Sequence, residues 1–121
     1  MQGSFKMDYR SLSIGVALFI VAHIAVWYQV NGQFLDEWVR EHTWVMTLFG
    51  IPISWLYLYS TRYTVEAFGG ELWPQRLIGF AIGMIAFTIL TYIHLGETIN
   101  LKIITTLTLS LAIVLVQILW K

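Results

Sequence analysis

The sequence predicts an all-α integral membrane protein: a bundle of four transmembrane helices, forming one domain over residues 1–121, with both termini cytoplasmic. Three observations lead there. The chain is 58% hydrophobic and only 12% charged, with a mean hydropathy of +0.71, whereas a soluble domain carries about 25% charged residues. Four stretches lack Asp, Glu, Lys and Arg altogether: 12–30, 44–61, 77–93 and 103–120. None of them alternates apolar and polar residues as a barrel strand does, so their backbone must satisfy itself as helix.

With flanking residues, the predicted helices cover about 12–30, 44–63, 75–94 and 101–120. At 1.5 Å per residue each spans most of a ~30 Å hydrocarbon core. The first run follows Lys6 and Arg10, as a signal peptide would, but Trp27, Tyr28, Gln29 and Asn31 stand where small cleavage-site residues belong. It is therefore read as a retained helix. Between the first two helices, Phe34, Leu35, Trp38 and Val39 recur at helical spacing opposite Asp36, Glu37, Arg40 and Glu41. This pattern predicts a short amphipathic segment over 33–42 on the membrane surface.

In the second helix, Pro52 follows Gly50 and removes a backbone donor, which predicts a bend there. Gly69, Gly70 and Pro74 mark the connection to the third helix, with the proline suited to its first turn. A tight turn over 95–101 makes the third and fourth helices antiparallel neighbours. Lys6, Arg10, Arg62, Arg76 and Lys121 fall on one side of this layout, Arg40 and Lys102 on the other. The excess of positive charge assigns the first side to the cytoplasm. Trp27, Tyr28, Trp38, Trp44, Tyr57, Tyr59, Tyr63, Trp73, Tyr92 and Trp120 lie near predicted helix ends and are read as interfacial anchors.

Seven Lys and Arg balance seven Asp and Glu, so no charge excess points to nucleic acid. The lack of cysteine removes disulfides, thiolate metal sites and thiol nucleophiles. No nucleophile elbow, zinc-protease motif or phosphate loop is present. The expectation is a non-enzymatic protein without a cofactor or metal, whose partners are the lipid bilayer and a second copy or another membrane protein.

His23 lies near the middle of the first helix, where an ionisable group is expensive and faces a bundle or cavity. It is either a proton-carrying residue or a neutral hydrogen-bonding link between helices. Pro52 and Ser54 mark a helix break whose freed carbonyls either line a solute path or simply permit packing. Gln117 in the fourth helix is a further candidate for the path. Arg62, Glu66 and Arg76 form a charged cluster at the inner mouth. There Arg76 either attracts an anion or snorkels to the interface. Gly79 and Gly83 place small residues four apart on one face of the third helix, which permits close helix approach. His94 and Glu97 share a turn near Lys102, too few ligands for a metal and suited to a solvated loop.

The stretch from Trp55 to Gln117, with its glycine-containing third helix, the Leu95-Gly96-Glu97 turn and an aliphatic last helix, resembles one half of a drug/metabolite transporter. The four-helix length is similar to the small multidrug resistance family. That resemblance implies a dimer with a central pathway and proton-coupled export of a small cationic or polar solute across a bacterial inner membrane. The family's intramembrane glutamate has no counterpart, since the first run holds no carboxylate; His23 sits at comparable depth. A non-transporting accessory or assembly subunit of a larger membrane complex is the alternative. An ion channel would need a carboxylate ring or filter that the sequence lacks.

Overall fold

The computed structural model describes residues 7–120. Lys6 and Lys121 lie outside this range. Every regular element among the described residues is helical. The chain runs through α1 (Tyr9–Asn31), a 3₁₀ turn (Gly32–Phe34), α2 (Glu37–Glu41), α3 (Thr43–Leu48), α4 (Gly50–Ala67), α5 (Leu72–Leu95) and α6 (Leu101–Leu119). Three segments are long and apolar enough to cross a membrane: Tyr9–Phe34, Leu72–Leu95 and Leu101–Leu119. The 18-residue α4 is not one of them. Its length suffices, but Arg62, Glu66 and a run of hydroxyl side chains dilute its apolar character.

Each helix boundary has a local cause. The Asp8 carboxylate caps α1 by accepting from the Arg10 and Ser11 amides at 3.1 and 3.2 Å and from the Ser11 hydroxyl at 2.9 Å. The Ser11 amide and hydroxyl hold the Asp8 carboxyl below its ordinary value of 3.8. A carboxylate held down in this way stabilises the fold above its ordinary pKa, and that contribution is lost as the pH falls through the lower folded-state value. Asp36 caps α2 through the Trp38 amide at 2.9 Å. The surface segment is therefore a 3₁₀ turn and a five-residue helix rather than one continuous amphipathic helix, because the cap fixes Asp36 in extended geometry at φ −142°. Trp38, exposed, and His42, partly buried, stack at 4.2 Å across that short helix.

The α3–α4 junction shows what Pro52 does. Without an amide hydrogen, Pro52 cannot bond the Leu48 carbonyl, and its ring crowds that group. Leu48 is the last residue of α3, and Phe49 closes back on Met46 in a tighter turn before α4 begins. The two glycines after α4 adopt φ of 68° and 94°, and Gly70 donates to the Val65 carbonyl at 2.9 Å, ending the helix sharply. Pro74 is the third residue of α5, inside the first turn, where the missing amide hydrogen costs nothing.

The helices pack in a definite order. α1 and α4 are antiparallel along their whole length. Asp8 donates to the Ala67 carbonyl at one end, and Gln29 donates to the Met46 carbonyl of α3 at the other. Between these ends runs a seam of small buried residues, Ser11, Gly15 and Ala22 on α1 and Ser60, Thr64 and Ala67 on α4, in which Gly15 lies against Ser60 and Thr64. A Cβ on Gly15 would meet the Thr64 side chain, and would stand 2.9 Å from the Thr64 backbone nitrogen. The buried hydroxyls are satisfied within α4, Thr64 on the Ser60 carbonyl at 2.7 Å and Ser60 on the Tyr57 carbonyl at 3.0 Å. Leu12, Ala67, Phe68 and Ile78 then close an apolar cluster where α1, α4 and α5 meet. The last helix, α6, is peripheral: it neighbours α5 alone, and only 6% of its apolar stretch is buried, against 33% for α1 and 28% for α5.

Candidate functional site

A cleft of about 360 Å³ opens between α1, α4 and α5. α1 contributes Phe19 and His23, α4 contributes Tyr57 and Thr61, and α5 contributes Gln75, Arg76 and Gly79. Its position follows from how α1 meets α5. Phe19 lies against Gly79, where a Cβ would stand 3.3 Å from the ring, and His23 lies against Gly83, where a Cβ would stand 2.8 Å from Cε1. The missing side chains on α5 thus seat two rings from α1. The approach is close enough to hold His23 between helices.

His23 is half-buried in the protein interior. Its Nδ1 lies 3.1 Å from the Tyr57 hydroxyl, and the two rings meet edge to face at 5.4 Å. The His23 Nε2 is buried and, among the described residues, no group stands at hydrogen-bonding geometry to it. If Nδ1 accepts from Tyr57, Nε2 carries an unpaired proton; if Nδ1 donates, Nε2 offers an unpaired acceptor. Either form leaves a buried polar atom unsatisfied, which costs roughly 1–3 kcal/mol until a polar group meets it. The ring therefore retains hydrogen-bonding capacity at the head of a polar cleft.

One turn beyond His23, side chains tie α1 to α5. The indole of Trp27, 3% exposed, donates to the Thr91 hydroxyl at 3.0 Å and stacks on His94. The Tyr28 hydroxyl lies 2.6 Å from His94 Nε2. These contacts revise the reading of Trp27 and Tyr57 as interfacial anchors, since both face the bundle. A tryptophan or tyrosine near a helix end has the composition of an anchor wherever its side chain points. His94 and Glu97 are both exposed, and His94 also contacts Trp27 and Tyr28 of α1.

The other candidates disperse. Ser54 is exposed on α4 and does not line the cleft, although it precedes Tyr57 and Thr61 by three and seven residues on the same helix face. Pro52, also exposed, borders a separate apolar groove with Ile14, Leu18 and Trp55. Gln117 is half-buried near the end of α6, which does not border the cleft. Thr88 turns its hydroxyl onto the Met84 carbonyl of its own helix at 2.8 Å. At the mouth, the Arg62 guanidinium lies over the Tyr59 ring at 4.8 Å, and Glu66 is exposed. Only Arg76 of that cluster lines the cleft. Sequence reasoning missed the roles of Tyr57, Thr61 and Gln75. Their helical phase was readable, but which face α4 turns toward α1 depends on the small-residue seam. The chain matches no known protein family, no curated protein and no solved structure.

Proposed function

We propose that this chain is a small transporter-like protein of a bacterial inner membrane. In this reading it crosses the bilayer four times with both termini cytoplasmic, and moves a small polar solute by way of the α1/α4/α5 cleft. The observation that carries the reading is a polar cleft, lined by His23 with its unsatisfied Nε2, between two helices of spanning length. A cleft at that depth costs packing energy without return if the protein only fills a groove in a larger assembly. His23 is the group that would take up and release a proton as solute moves. Of the solute classes the sequence suggested, a cation is the less favoured, because the lining holds an arginine and no carboxylate.

Helix direction supports the fourth crossing. The contacts of Phe19 with Gly79 and Trp27 with Thr91 make α1 and α5 parallel. Two parallel helices that both cross require the chain between them to cross back, and α3 with α4 runs antiparallel to α1 over its full length. The cleft then opens toward the cytoplasm, on the side of Arg62 and Arg76. A homodimer would cover the outer face of α6, which neighbours only α5.

Single cysteines in this cysteine-free chain test the reading. A membrane-impermeant thiol reagent is expected to label Ser4→Cys from the cytoplasmic side and Gln33→Cys from the opposite one. Thr61→Cys, inside the cleft, is expected to react from the cytoplasmic side only. Labelling of Ser4→Cys and Gln33→Cys from one side would defeat the topology. A Thr61→Cys that reacts from neither side would defeat the solute cleft.

A further inference from the structure

We infer that the cleft binds a phosphate-bearing anion, and that Arg76 is the residue that selects it. The inference rests on the cleft's being a solute site, and names the chemistry of what enters. Arg76, Gln75 and Thr61 can donate into the cleft, and the hydrogen-bonded pair of Tyr57 and His23 leaves one further donor between them. Arg76 alone offers five N–H donors in a planar fork, Gln75 offers two, and each hydroxyl offers one. No Asp or Glu lines the cleft, and no ion pair of Arg76 occurs among the described residues. Arg62, the neighbouring cation, is turned onto Tyr59, and Asp8 is engaged in capping α1. A guanidinium that stays exposed at a polar cleft with no carboxylate in its lining keeps its charge for a ligand.

The donor set exceeds what a planar carboxylate with two oxygens can use. A phosphate presents more oxygens, and guanidinium forks match its geometry through paired, charge-assisted hydrogen bonds. The apolar floor of Phe19 and Gly79 leaves room for a carbon-bearing remainder. Two sources share this chemistry: a free phosphate or phosphate ester from the cytoplasm, and the headgroup of an anionic lipid reaching in from the inner leaflet.

The test uses the whole chain in phosphatidylcholine nanodiscs, with its thermal midpoint followed at constant ionic strength. One arm adds inorganic phosphate; the other replaces part of the lipid by phosphatidylglycerol. Binding to the folded state is expected to raise the native midpoint in a concentration-dependent way. A rise with phosphate alone assigns a soluble ligand, a rise with phosphatidylglycerol alone assigns a lipid headgroup, and a rise with both supports the shared chemistry. Arg76→Gln is expected to weaken the apparent affinity about tenfold or more, while Arg62→Gln stays within about twofold, since its cation lies outside the cleft. If Arg76→Gln does not insert, Thr61→Val supplies the comparison, with an expected loss of severalfold. No rise with either probe overturns the inference. So does an equal loss in Arg62→Gln and Arg76→Gln, or an unchanged affinity in Thr61→Val. Cytoplasmic labelling of Thr61→Cys does not depend on charge, so a cleft that labels but binds neither probe retires the anion and leaves the solute path standing.

Discussion

Gly15→Ala is expected to loosen or unfold the bundle, although alanine is the better helix former. The substitution gains up to about 1 kcal/mol of helix propensity. Against this, its Cβ would stand 2.9 Å from the Thr64 backbone nitrogen and 3.1 Å from the Ser60 carbonyl oxygen. Backbone atoms held in a helix cannot swing aside, so α1 and α4 must part along the seam that aligns them. Overpacking of this kind costs about 1–3 kcal/mol, and the net effect is destabilising. Gly79→Ala is the internal comparison, because its Cβ meets only the edge of the Phe19 ring at 3.3 Å, a side chain able to shift. Denaturation in mixed micelles should therefore rank Gly15→Ala well below Gly79→Ala. Equal stability of the two variants would mean that the α1–α4 seam does not set the helix register.

His23→Ala is expected to abolish proton movement while leaving the protein inserted and folded. The lost Tyr57 hydrogen bond costs on the order of 1 kcal/mol between helices, too little to unfold a bundle held by its seam and core. The lost imidazole, by contrast, leaves the cleft without the ring nitrogens that would take up and release a proton. In liposomes containing a sealed pH dye and supplied with inorganic phosphate, an imposed pH gradient should collapse through the native chain and persist with the variant. Tyr57→Phe should retain part of the flux, because it removes the partner and keeps the ring. Undiminished flux in a folded His23→Ala would reduce His23 to a packing link.

The apolar runs, the glycine punctuation and the effect of Pro52 are local properties legible in the sequence, whereas the caps at Asp8 and Asn100 emerged from the structure. Asp8 and Asn100 precede their helices with side chains suited to accept from the first turn, as both do. Gly79 and Gly83 were also legible as small residues one turn apart, and the rings they receive come from α1. The α1–α4 seam was harder to see, because it mixes serine, glycine, alanine and threonine at spacings of three and four, and no single motif marks it. Without the seam, the direction in which Tyr57 and Thr61 point could not be read; Ser54 shares their face of α4 and lies beyond the cleft. Gln117 misled for a different reason. A polar residue in an apolar helix suggests a path, yet near the end of α6 its amide lies within reach of the interface.

The cleft's reach to His23 is tested most directly by His23→Cys, the deepest lining position on α1, treated with a small impermeant thiol reagent in sealed vesicles of each orientation. Rapid labelling is expected where the cytoplasmic face is exposed, slowed by a bulky cysteine adduct at Thr61→Cys in the double variant, and absent where only the opposite face is exposed behind Trp27 and His94. Labelling from that opposite face, or none from either while Thr61→Cys alone reacts, would show that the polar cleft does not lead to His23.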